Sequence, residues 1–130
     1  MDYNIILVIL VTHFVADFLC QTDKMALNKS HSIKWLSVHV LVYSLVLGLG
    51  SLFFLAELGW EYWAYYVLTN GILHWITDYF TSKQTTRLWK LESKHWFFVM
   101  VGFDQLIHYS CLFSTYLFIG IAKWRYSGLA

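Results

Sequence analysis

Four long apolar runs, separated by clustered charge, constrain this chain more than any other feature. They cover about residues 3–21, 33–56, 60–80 and 95–122. Crossing a hydrocarbon core takes roughly 20 consecutive apolar residues, and each run approaches or exceeds that. Only 13% of the residues are charged, against about 25% in an ordinary soluble domain. The pattern predicts an all-α fold: a polytopic membrane four-helix bundle built from two helical hairpins, forming one transmembrane domain over residues 1–130. The chain has no proline, so no proline kink is expected. Gly48, Gly50, Gly71, Gly102 and Gly120 fall inside the runs, where they allow close helix contact. A net charge of +1 gives no electrostatic case for nucleic-acid binding.

Basic residues set the expected topology. Lys24, Lys29 and Lys34 accompany the first link, and Lys83, Arg87, Lys90 and Lys94 accompany the third. The other side holds Lys123 and Arg125, with acidic Asp2, Glu57 and Glu61. The positive-inside rule then puts both basic links in the cytoplasm and both termini outside. The first run begins Met1-Asp2-Tyr3-Asn4 without a basic segment and reads as a retained helix, not a cleaved signal. A tight turn around Glu57 to Gly59 is expected, and a longer polar loop from Thr81 to Ser93. Trp60, Trp63, Trp89, Trp96 and Trp124 read as interface anchors. Cys20 and Cys111 fall at different depths, with Cys20 on the reducing side, so no disulfide is expected.

The informative residues are polar ones inside the runs. His13 and Asp17 stand four apart in the first, His74 and Asp78 in the third, and Asp104 and His108 in the fourth. His39 lies near the start of the second. Residues at i and i+4 share a helix face, so each pair forms one polar stripe. An aspartate at a membrane helix centre costs about 2.5–3.5 kcal/mol, so three without compensation cost roughly 7–10 kcal/mol. That rivals the net stability of a whole domain. With antiparallel helices at about 1.5 Å per residue, all seven residues fall at similar depth near the cytoplasmic side. His13-Phe14-Val15-Ala16-Asp17-Phe18 also echoes His74-Trp75-Ile76-Thr77-Asp78-Tyr79, as two related hairpins around a pseudo-twofold site would.

The segment from His13 to Ala26, including Gln21-Thr22-Asp23, resembles bacterial and phage membrane proteins grouped as domain-of-unknown-function family 3307. Asn28-Lys29, His39, His74 to Asp78, and Asp104-Gln105-Leu106-Ile107-His108 extend the resemblance over nearly the whole chain. It implies the membrane fold, in a bacterial inner membrane or a phage-encoded equivalent, and it implies no activity.

The chemistry follows from residue types. Imidazole and carboxylate together suit zinc, with iron or manganese as alternatives. The expected ligands, for one or two divalent ions, are His13, Asp17, His39, His74, Asp78, Asp104 and His108. Gln21, Asp23 and Gln105 are expected to support the ligands or touch substrate. Such a site, open to the cytoplasm, predicts a metal-dependent hydrolase that uses an ion-activated water on a lipid or a small anionic phosphorylated or acyl substrate. Lys24, Lys29, Lys83 and Arg87 around the mouth would attract an anion. Tyr43, one turn past His39, and Cys111, three residues past His108, read as packing residues. The competing readings are a metal-ion or proton transport protein, and a small membrane regulator whose His and Asp residues neutralise one another. Beyond the lipid bilayer and the substrate no partner is implied, and the oligomeric state stays open.

Overall fold

The computed structural model describes residues 3–55 and 59–127, and within them every regular element is helical. Helix α1 (Tyr3–Phe14) runs directly into a π-helical turn, Val15–Leu19. Helix α2 (Asp23–Asn28) is short, α3 (Ile33–Leu55) spans 23 residues, α4 (Trp60–Lys90) spans 31 and α5 (Lys94–Ser127) spans 34. The turn around Glu57 lies outside the described residues, as does Asp2.

The boundaries differ from the sequence expectation in three places. The first helix ends at Leu19, and the link after it folds into α2. Thr22, in extended conformation, caps α2 by accepting from the Met25 N–H, which satisfies a free donor of the first turn. The third helix continues ten residues past its expected end, and the polar loop shrinks to 91–93. Lys83, Arg87 and Lys90 lower the apolarity of that segment, but it has no Gly or Pro and stays helix-competent. The helix stops where Glu92 turns left-handed (φ +54°), with Glu92 N–H bonding to Trp89 O and Ser93 N–H to Leu88 O. This is a Schellman closure with glutamate in the usual glycine position.

Two helices are long and apolar enough to cross a membrane, Ile33–Phe54 and Lys94–Arg125. Tyr3–Leu19 is apolar but shorter; at 1.5 Å per residue it reaches about 26 Å. Helix α4 is long enough, yet its Tyr and Trp residues together with Asn70, His74 and Asp78 dilute its hydropathy.

Helix α3 packs between α1 and α4, α4 packs between α3 and α5, and α2 rests on α3. An apolar core of Ile9, Leu47, Tyr66, Leu112 and Ile119 fills the half of the bundle away from the basic links. The partition is otherwise inverted. Twelve buried residues are polar or charged and ten are apolar, among those described. Meanwhile Leu41, Leu45, Leu49 and Phe53 form a stripe along α3 that is 62–86% exposed. An apolar exterior of that extent needs lipid or a partner to cover it.

Close approach of α1 and α3 depends on Gly50. A Cβ there would lie 2.9 Å from Thr12 Cβ and nearer still to its hydroxyl and methyl. Thr is stiff at χ1 and cannot swing aside cheaply. Gly50→Ala is therefore expected to destabilise the fold by about 1–3 kcal/mol. Gly102 faces open space, and Gly102→Ala should be neutral or gain about 0.5–1 kcal/mol. Thermal unfolding of the two variants in one detergent checks the contrast.

Candidate metal centre

Each polar stripe is delivered by a local feature of its helix. His13 lies in the last turn of α1, and the π turn that follows carries Asp17 on the same inward side. The turn is closed by Cys20 N–H bonding to Val15 O at 2.9 Å. Single π turns often occur at functional sites, because the extra residue re-aims the side chains after it. His39 lies in the second turn of α3, His74 and Asp78 in the middle of α4, and Asp104 and His108 in the first half of α5. The antiparallel packing brings all seven to one level, at the end that bears α2 and the 91–93 turn.

The tightest group is Asp17, His39, His74 and Asp78, all buried. His39 Nε2 lies 3.1 Å from His74 Nε2. It lies 3.2 Å from Asp17 Oδ1 and 3.3 Å from Asp78 Oδ2. His74 Nε2 lies 3.5 Å from the same Asp17 oxygen and 3.6 Å from the same Asp78 oxygen. Four tetrahedral ligands, each about 2.0–2.1 Å from zinc, stand about 3.3–3.4 Å from one another. Five of the six pair distances straddle that value, and the sixth, between the two carboxylates, is within 4.8 Å. The unmet hydrogen-bonding capacity agrees: Asp17 Oδ1 meets no donor in hydrogen-bonding geometry among the described residues. These buried His and Asp groups could hold a metal ion.

Two further groups share members with the first. His13, Asp17 and His108 form one, and Asp78, Asp104 and His108 form the other. Asp78 turns Oδ2 to the histidine pair and Oδ1 to His108 Nε2, 3.7 Å away. His108 Nδ1 stands 3.5 Å from Asp104 Oδ2. Neither His108 nitrogen has a hydrogen-bond partner among the described residues.

Gln105 clamps the periphery. Its amide donates to Asp17 Oδ2 at 2.9 Å and to Asp104 Oδ2 at 3.1 Å. Two carboxylate acceptors fix which end of the amide is nitrogen, so Oε1 must face His13 Nε2, 2.9 Å away. His13 Nε2 is then the protonated nitrogen, and the Tyr43 hydroxyl, 3.3 Å from Nδ1, serves the other. Both His13 nitrogens are thus engaged in this arrangement, by Gln105 and Tyr43, while the ring also belongs to the group with Asp17 and His108 that could hold a metal. Tyr43 also stacks on His74 at 3.8 Å between centroids, and His108 covers the opposite face at 4.1 Å. The His74 ring is thus held by packing. Thr81 donates to Asp104 Oδ1 at 2.6 Å.

Lys29 belongs to the site. Its Nζ lies 2.7 Å from Asp78 Oδ2. Burial alone would lower the pKa of this ammonium, but the carboxylates of Asp78 and Asp17 outweigh it and raise it above the ordinary value. Charge patterning alone reads Lys29 as a topology signal. The signal that identifies it is the need of three carboxylates within apolar runs for a cation, with Asn28-Lys29 inside the resembling segment. Gln21 borders the cavity beside Asp17 and Asp78, and its buried Oε1 has no partner among the described residues. Asp23 is exposed in the first turn of α2 and falls in none of the ligand groups. There it suits the positive end of the helix dipole. Cys20 and Cys111 are free thiols.

A profile described as Protein of unknown function (DUF3307) matches residues 5–127. The chain belongs to this family. The DUF3307 match spans every residue of the three ligand groups. Searches of curated proteins and of solved structures found no match.

The Lys29–Asp78 pair should be strongly coupled. Removing Lys29 alone adds one more uncompensated carboxylate to the pocket, whereas removing Lys29 and Asp78 together leaves the charge surplus unchanged. In metal-free protein, Lys29→Met should therefore destabilise more when Asp78 is present than in the Asp78→Asn background. A thermal double-mutant cycle should give a coupling of about 1–3 kcal/mol. Additive effects would separate the pair energetically.

Proposed function

We propose that this DUF3307 chain is a four-span membrane protein whose buried His/Asp centre binds a divalent metal and hydrolyses an ester or acyl bond at the cytoplasmic side. Zinc is the preferred ion, since two imidazoles and two carboxylates suit it, with iron or manganese as alternatives. The near-tetrahedral spacing of Asp17, His39, His74 and Asp78 carries the metal assignment.

Charge balance agrees with one resident ion. Asp17, Asp78 and Asp104 face a single ammonium, Lys29, so with neutral imidazoles the pocket has two negative charges in surplus. One divalent ion cancels them. A second ion, beside Asp78, Asp104 and His108, would make the pocket positive by two, so its binding goes with an anion. Bound there, a divalent ion supplies Lewis acidity, which acidifies water and polarises a carbonyl or phosphoryl bond.

The surrounding residues divide the remaining work. Gln105 holds Asp17 and Asp104 apart and oriented, and Lys29 offers positive charge to an anionic group. A cavity of about 430 Å³ reaches Asp17, Asp78 and Asp104 and gives a substrate access to them. The membrane reading is supported by the inverted partition of polar and apolar residues and by the two clear spans. It places α1 and α4 as the other two, with the basic links inside and the termini outside. Among the described residues the half around Ile9, Leu47, Tyr66, Leu112 and Ile119 is mainly apolar, with Ser51 and Asn70 as its buried polar side chains, and this favours a one-sided site over a transporter.

Protein purified without chelator should hold about one divalent ion per chain by elemental analysis. Asp17→Ala and His39→Ala should lose it, whereas His13→Ala and Gln105→Ala should weaken binding by roughly 10–100-fold, as expected for groups that orient ligands. A chelator should lower the unfolding midpoint, and zinc should restore it. Metal-free protein that zinc does not stabilise contradicts the proposal.

A further inference from the structure

The cavity beside the centre is lined by two chemically different sets of side chains. Asp17, Asp78, Asp104 and Lys29 supply charge, with the α4 hydroxyls of Thr81, Ser82, Thr85 and Thr86 beside them. Phe18, Leu27, Trp89, Phe97 and Val101 supply apolar surface. From Asp78 to Trp89 the cavity follows α4 for eleven residues, about 16 Å at helical rise. Its volume of about 430 Å³ falls within the range of small-molecule clefts, roughly 300–1,000 Å³.

Its position in the bundle says where a ligand enters. Helix α5 leans chiefly on α4, and α2 rests on α3, so the cavity occupies the seam between α2 and α5 with α4 behind it. Apolar side chains at that seam are exposed, with Phe18 at 43%, Trp89 at 61% and Leu27 at 74%. Inside, Ser82 Oγ and Gln21 Oε1 are buried without partners among the described residues, and Ser82 is only 6% exposed. A small hydrated anion would use the polar side and leave the apolar wall idle. Burying apolar chain against that wall gains about 25 cal/mol per Å².

We infer that the substrate is an anionic amphiphile with an apolar chain, entering through the seam between α2 and α5, its polar group at the carboxylate–Lys29 end and its chain on Phe18, Leu27, Phe97 and Val101. This rests on the hydrolase reading above and narrows its substrate from lipid or small anion to lipid.

Native mass spectrometry of the zinc-loaded full chain tests it, with palmitoyl lysophosphatidylglycerol and glycerol phosphate as probes. One lysophospholipid per chain is expected, bound at least tenfold more tightly than glycerol phosphate. Val101→Trp, which fills the apolar wall, should weaken lysophospholipid binding at least tenfold and keep its zinc. Phe98→Ala, on an exposed face outside the cavity, should change neither. Equal binding of the two probes overturns the inference, as does equal sensitivity to the Val101 and Phe98 changes. If Val101→Trp also loses zinc, Phe97→Ala decides: weaker lysophospholipid binding supports the inference and unchanged binding overturns it. Selective lysophospholipid binding by a chain that holds no metal would refute the metal reading while supporting this cavity as an amphiphile site.

Discussion

Three aspartates held among helices, Asp17 and Asp78 buried and Asp104 partly so, demand compensation, and the rest of this structure is organised around supplying it. Asp17 and Asp78 face each other across the His39–His74 pair, and each offers one oxygen to both imidazoles. Lys29 reaches in from the end of α2 to neutralise part of the charge. Gln105 bridges Asp17 and Asp104 across the gap from α5 to α1. What stays uncompensated is a surplus of negative charge around facing imidazole nitrogens, and the divalent cation proposed above would remove both problems at once.

The fold is arranged to keep that level fixed. The half beyond the site is apolar and packed, so it acts as a base. The half that bears the site is polar, cavity-lined and joined by hydrogen bonds between helices. The close approach at Gly50 holds α1 against α3, and the π turn at Val15–Leu19 aims Asp17 inward at the point where α1 ends. The echo between His13–Asp17 and His74–Asp78 acquires a partial structural meaning. Asp17 meets His39 of α3, and Asp78 meets His108 of α5, so each hairpin's first helix supplies a carboxylate that its returning helix meets with a histidine. The likeness is incomplete, because only the first copy carries the π turn and His13 is engaged by Gln105.

The spacing of four between His and Asp made the site residues visible in the sequence, since that spacing has one meaning on a helix. His39 and Gln105 were reachable by depth and by neighbourhood. The rest depends on geometry that no local pattern encodes. A π turn needs one extra residue per turn and leaves no compositional trace. The end of α4 at Lys90 was hidden because charge marks a membrane boundary, not a helix boundary. Lys29 looked like a loop charge until α2 folded and carried it to Asp78. Asp23, only two residues from Gln21, went the other way and faces outward from the first turn of that same helix. The hydrogen-bond partners of His13 depend on the orientation of a single amide, which only its two carboxylate partners fix. Two of the four expected spans fall short on length or hydropathy for a related reason: the polar residues that build the site dilute the apolarity that would announce a span.

X-ray absorption at the zinc edge, on protein loaded with one equivalent of zinc, reads the coordination shell directly. The predicted spectrum has four nitrogen and oxygen neighbours at about 2.0–2.1 Å with the outer-shell scattering of two imidazoles, and both features are lost in Asp17→Ala. A shell of six oxygens without imidazole scattering, or one dominated by sulfur at about 2.3 Å, would contradict a centre built from Asp17, His39, His74 and Asp78.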